Sequence, residues 1–236
     1  MKFELVHKGD WSYYRTPELE EAGIVHGFFT KASPSPEPYG KDGKAFLDAF
    51  ALQRFIIMDQ EHGDRIHVIR DGEKAESGDG IIIIERNVAG IIKTADCLPV
   101  IIAAPGLPMA AIVHAGWRGT VRKISLKAVR KMVELGAEKE GLIVLMGPSI
   151  GPCCYEVKED VYSVFNNEGF PEGVFRRAGG ATYLDIREAN RELLHREGVK
   201  EIYDAGLCTY CSDGRFASYR RGERSSRQIN FVSLRG

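Results

Sequence analysis

IIIIERNVAGIIKTADCLPVIIAAPGLPMAAIVHAGWRGTVRKISLKAVRKMVELG, residues 81–136, holds the pattern that decides the fold. Residues 81–84 are an unbroken β-branched run, the composition of a strand buried on both faces. Residues 88–92, 99–103 and 109–113 repeat that pattern, separated by polar or Pro/Gly-containing breaks. After Gly119 the period changes. Val121, Ile124, Ala128, Met132 and Leu135 recur at three- and four-residue steps with Lys and Arg between them, which predicts one amphipathic helix over 119–135, stopped by Gly136.

The flanks extend this reading. Upstream, residues 3–6, 24–29 and 65–69 read as strands, 33–43 with three prolines and two glycines as a loop, and 44–55 as containing a short helix. Downstream, 142–146 returns to strand, and 157–165 and 184–197 read as helices, the second ended by Gly198. Residues 201–207, 216–220 and 228–234 alternate as strands do. Many strands with few helices predict an α+β fold, mixed β-sheets flanked by helices. Without a repeat, low-complexity tract or linker, residues 1–236 read as one domain.

Composition narrows the function classes. Of 236 residues, 44% are apolar and 28% charged, as in globular proteins. A chain of this length buries roughly 70% of its unfolded surface, so its core needs no staple. A net charge of −1 gives no basic field for nucleic acid or an anionic membrane. No run of 18 apolar residues exists and the first ten residues lack a signal pattern, so a cytoplasmic protein is expected. The five cysteines are odd in number, with four in two close pairs. That suits metal or thiol chemistry better than a disulfide framework.

Three segments could carry chemistry: Gln60-Glu61-His62-Gly63, Thr94-Ala95-Asp96-Cys97 and His114-Ala115-Gly116-Trp117-Arg118-Gly119. Each sits where a strand-like run meets a loop, the usual place for a site. His62, Cys97 and His114 are natural zinc ligands, and three protein ligands leave a fourth position for water or substrate. Their intervals of 35 and 17 residues match no zinc-finger spacing, so each taken alone also reads as an ordinary packed residue. Gly116 and Gly119 permit close backbone approach to a ligand. A helix start there, with the donor fork of Arg118, suits an anion, and a plain strand-to-helix turn with a surface Arg is the alternative.

TADCLPV, VHAGWRGT, GPSIGPCCYEV, LCT and SYRR occur in that order. Together they resemble the YfiH-like laccase-domain family, described as purine nucleoside phosphorylases and earlier as polyphenol oxidases. The resemblance runs from about Ile24 to Leu234. It implies a zinc site formed by His62, Cys97 and His114, and an α+β fold similar to that of a toxin deamidase using a Cys/His pair. It also implies phosphorolysis of adenosine, inosine or a methylthio analogue, with adenosine deamination as a second activity. Asp96 is then the candidate for proton transfer or ligand orientation, Arg118 for phosphate or transition-state charge, and Arg220 of Ser-Tyr-Arg for substrate. One stretch departs from the family. PEPYGKDGKAFLDAFALQRF, residues 36–55, lacks the Asn of the usual loop, so nucleoside contacts are not carried over from there.

Other readings of the same residues stay open: a cysteine hydrolase using Cys97 and His114, copper-dependent phenol oxidation, or a binding module stabilised by zinc. Cys208 and Cys211 form a CxxC that Cys153 and Cys154 could complete as four thiolates. The turn residues Ser212-Asp213-Gly214 that follow lead to the expectation that Cys208 and Cys211 bind no metal and do no redox work.

Overall fold

The computed structural model describes residues 1–36, 41–70 and 72–236. The central run folds into four strands, β6 (Gly80–Ile83), β7 (Val88–Thr94), β8 (Leu98–Ala104) and β9 (Met109–Ala115). The period-two rule governs their packing. Ile81 and Ile83 face one core, whereas Ile82 between them faces another.

Two six-stranded sheets stack on each other. The first runs β1 (Glu4–Lys8), β2 (Trp11–Arg15), β3 (Ile24–Phe29), β15 (Gln228–Leu234), β7 and β4 (Arg54–Ile57). The second runs β14 (Glu201–Asp204), β10 (Ile143–Met146), β8, β9, β6 and β5 (Ile66–Ile69). Both are mixed. β4 is parallel to β7, β14 to β10 and β5 to β6, and the other pairs are antiparallel. Phe28, Ile92, Ile101, Ile112 and Val232 fill the layer between the sheets.

Helices cover the outer faces. α2 (Lys41–Phe50) lays Phe46 and Phe50 against Trp11, Phe29 and Phe231 on the first sheet. α4 (Ile124–Glu134) and α6 (Ile186–Glu197) cover the second through Val129, Met132 and Leu194. Burying one such side chain stabilises by about 1.5–3 kcal/mol. A three-stranded sheet of β11 (Glu156–Val157), β13 (Ala181–Leu184) and β12 (Phe175–Ala178) packs with α5 (Glu159–Asn167) around Phe165 and Phe170.

The expected helix over 119–135 is in fact two. α3 (Trp117–Val121) ends one turn before α4, and Lys123 between them adopts φ +63°. The apolar period continues across the break, so it leaves no trace in the pattern. Residues 216–220 are a turn-rich segment, not the expected strand. Phe216, Ala217 and Ser218 are buried in succession without joining a strand ladder. The α1 helix (Pro17–Glu21), β2, β4 and the β12–β13 hairpin had no sequence expectation. Within the expected 33–43 loop, residues 37–40 lie outside the described residues, and the departure at 36–55 is described only from Lys41 onward, as α2 and β4. Among the described residues no helix is long and apolar enough to cross a membrane.

Candidate metal centre and substrate cavity

Strand register assembles the site. β8 pairs with β9 so that Leu98 faces Ala115 and Pro99 faces His114, which sets Cys97 beside the end of β9. β6 pairs with β9 through Gly80 and Val113, so Asp79 meets His114. β5 runs parallel to β6 from Ile66, and the turn carrying His62 precedes it at the same end of the sheet. The ligand-type atoms of His62, Cys97 and His114 all lie within 4.8 Å of one another.

Asp79 orders this group. It is fully buried. Its Oδ1 accepts from His114 Nδ1 at 2.8 Å and from the His62 amide at 3.1 Å; its Oδ2 accepts from the amides of Gly63 at 2.7 Å and Glu61 at 3.2 Å. Burial would raise this carboxyl, but hydrogen bonds from His114, Gly63 and Glu61 outweigh it and hold Asp79 below its ordinary range. With Nδ1 committed to Asp79, His114 presents Nε2 toward Cys97. The same carboxylate pins the His62 turn, whose φ of +57° is uncommon for a non-glycine residue. Gly116 makes room for the cluster, since a Cβ there would lie 3.1 Å from Cys97 Sγ.

The electrostatics suit a soft cation. Burial would raise the Cys97 thiol, but the charge of His114 and hydrogen bonds from His114 and His62 bring it down to about 6. Burial likewise works against charge on His114, yet the neighbouring thiolate and Asp79 hold it up at about 9. Each group thus favours the charged form of the other.

The cluster opens into a cavity of about 650 Å³. Trp117 and Tyr155 supply aromatic walls, and Ile57, Met58, Ile150 and Ile186 apolar ones. Four cationic side chains, Lys93, Arg118, Arg220 and Arg227, line it against two acidic ones, Asp59 and Asp96. The Arg118 guanidinium stacks 4.4 Å from the Trp117 ring, and among the described residues no carboxylate pairs with it. Arg220 is more constrained. Its guanidinium donates to Glu156 O at 2.9 Å and sits 5.4 Å from the Tyr155 ring.

Asp96 lines the same wall with both carboxylate oxygens occupied. Thr209 Oγ1 donates to Oδ1 at 2.6 Å, and Ser218 Oγ and the Arg220 amide donate to Oδ2 at 3.0 and 2.8 Å. It ties the 208–220 segment to the strand end that carries Cys97. That arrangement favours the orienting role over proton transfer.

Residues 40–235 match the family described as multi-copper polyphenol oxidoreductase laccase. The chain belongs to that family. A relative from Deinococcus radiodurans named purine nucleoside phosphorylase is 37% identical over 225 residues, covering 88% of this chain and 86% of its own length. A relative from an unknown prokaryotic organism named adenosine deaminase RL5 is 32% identical over 206 residues, 77% of this chain and 79% of its own. The crystal structure of Bacillus licheniformis hypothetical protein YfiH matches with a TM-score of 0.87 at 27% identity, over 99% of both chains.

In this laccase-family chain the expected residues His62, Asp96, Cys97, His114, Arg118 and Arg220 all line one cavity. Sequence reading missed Asp79, and it gave no role to Trp117 and Tyr155, which stand inside the quoted motifs. The one available signal for Asp79 was an acidic residue between Gly78 and Gly80 at the mouth of an all-β-branched strand.

Proposed function

We propose that this chain is a metal-dependent purine nucleoside phosphorylase, with adenosine deamination as a second activity of the same site. The observation that carries the reading is the convergence of His62, Cys97 and His114 at the floor of a cationic cavity with aromatic walls. Two imidazoles and a low-pKa thiol are a borderline-soft donor set that fits zinc. Asp79 holds His114 in the tautomer a ligand needs, and Gly116 leaves the space. The chemistry such an ion supplies when bound is Lewis-acid polarisation and acidification of water toward a pKa of about 7.

The chain's own residues bind and orient. Trp117 and Tyr155 offer faces on which a purine stacks. Arg118, without a carboxylate partner among the described residues, presents its donor fork to inorganic phosphate, and Arg220 lines the same cavity. In phosphorolysis a phosphate oxygen bonds to the anomeric carbon as the glycosidic C–N bond breaks. The base leaves with a proton and ribose 1-phosphate forms. In deamination water adds at the purine carbon bearing the amine and ammonia leaves. Asp96, spanned by Thr209, Ser218 and the Arg220 amide, keeps the wall in register with Cys97.

Coupled copper chemistry fits less well. Among the described residues only two clusters could hold a metal, and together they contain just two histidines, His62 and His114, too few to ligate several copper ions. A cysteine hydrolase is the second reading, favoured by the thiolate–imidazolium pair and by Asp79 behind His114. It leaves His62 without a task.

Chromatography of adenosine incubated with the zinc-loaded protein tests the proposal. Adenine and ribose 1-phosphate should appear only with phosphate, and inosine should appear without it. No conversion of any purine nucleoside would sink the proposal in favour of the hydrolase.

A further inference from the structure

The four cysteines left without a task by sequence reading converge at the other end of the same loops. Cys153, Cys154, Cys208 and Cys211 are free thiols whose sulfurs all lie within 4.8 Å of one another. None of them lines the cavity. Residues 149–155 and 207–211 are zipped together there. Ser149 and Cys208 form a parallel bridge, the Ser149 amide donates to Leu207 O at 3.2 Å, and the Thr209 amide to Ser149 O at 3.0 Å. The turn at Gly151, whose carbonyl accepts from the amides of Cys154 and Tyr155, aims two adjacent thiols at the CxxC.

The geometry points to a tetrahedral four-thiolate zinc site formed by Cys153, Cys154, Cys208 and Cys211, separate from the centre at His62, Cys97 and His114. Zinc–sulfur bonds of about 2.3 Å in a tetrahedron set the sulfurs about 3.8 Å apart. Cys153 lies 3.8 Å from Cys211 and 3.5 Å from Cys154. Cys208 is the anchor. Buried, it accepts a hydrogen bond from the Gly151 amide at 3.3 Å, as metal-bound sulfur commonly does. A four-sulfur set selects zinc over hard cations.

An ion there would brace the cavity from behind. The first loop carries Ile150 and Tyr155 of the cavity wall, and the second carries Thr209, which holds Asp96.

Two measurements test it. Zinc content of the full chain with both Cys153→Ser and Cys211→Ser should fall by one ion per chain relative to the parent. Unchanged zinc in that variant would overturn the site. The second needs no variant. Cys153 and Cys211 are exposed, so without an ion they should alkylate freely. In the protein purified without chelator both should resist N-ethylmaleimide, and a chelator should speed their labelling on the order of tenfold or more, as read by peptide mass mapping. Labelling rates that ignore the chelator, or masses showing these cysteines paired as disulfides, would overturn the proposal. Labelling at Cys97, mapped in the same digest, reports the other centre independently.

Discussion

Asp79→Asn changes one atom of the site and exposes how much the proposed metal centre depends on it. The carboxylate accepts four hydrogen bonds, two at each oxygen. An amide can serve only one side. If its NH2 replaces Oδ2, the Gly63 and Glu61 amides face a donor, and each buried donor left unpaired costs about 1–3 kcal/mol. If it replaces Oδ1, the His62 amide loses its acceptor, and His114 must move its proton to Nε2, the nitrogen a metal needs. Either outcome loosens the ligand set. Loss of such an outer partner weakens metal affinity by roughly 10- to 100-fold, or about 1.4–2.7 kcal/mol. The assay is protection of Cys97 from alkylation as zinc is added to metal-free protein, mapped by mass. The half-protection concentration should rise by that factor in Asp79→Asn. An unchanged midpoint in a variant that still melts cooperatively would refute the role given to Asp79.

Arg118→Ala should slow phosphorolysis more than deamination, because only phosphorolysis binds a dianion; losing a charge-assisted contact costs about 1.5–3 kcal/mol, or roughly 10- to 150-fold in rate. Equal losses in the two reactions would make Arg118 a general wall residue. In metal-free protein the Cys97 labelling rate should rise with pH through about 6 and then level off, because the thiolate is the reactive form and His114 holds the thiol down; a rate still climbing above pH 8 would contradict this. Fully buried His26 accepts the Thr16 amide at Nε2, and burial pushes its pKa down to about 4. The unfolded chain therefore takes up a proton near pH 6.5 that the folded chain refuses until about pH 4, so stability falls as pH drops through that window, by about 2–3 kcal/mol at pH 4.5. Urea unfolding at pH 7 and 4.5 should show His26→Gln losing less over the same range, and identical losses would refute the assignment.

Why some of this was legible and some was not follows from where the information lies. β3 and the runs that became β7, β8 and β9 announce themselves because a strand buried on both faces leaves an apolar, β-branched record. His62, Cys97 and His114 stand near the ends of such runs, His62 and His114 with a glycine close by, so local pattern suffices to nominate them. Asp79 is different. Its importance comes from the pairing of Gly80 with Val113, a register that no local window contains. The four cysteines were set aside for a similar reason. Cys-Thr-Tyr-Cys is followed by turn residues, and only the bridge between Ser149 and Cys208 brings Cys153 and Cys154 to it. Residues 216–220 misled in the opposite direction. Ser218 and the Arg220 amide are held by Asp96 rather than by a strand neighbour, so a short buried run without a ladder reads as a strand.

We propose that His62, Cys97 and His114 hold the ion on which nucleoside cleavage depends. The most direct test is the rate of adenine release from adenosine and phosphate by protein stripped of metal and then titrated with zinc. The stripped protein should be inactive and regain its rate as zinc is added, whereas Cys97→Ala should stay inactive while still taking up zinc at the thiolate cluster. Full activity in the stripped protein would contradict the account and leave Cys97 and His114 as a nucleophile and its base.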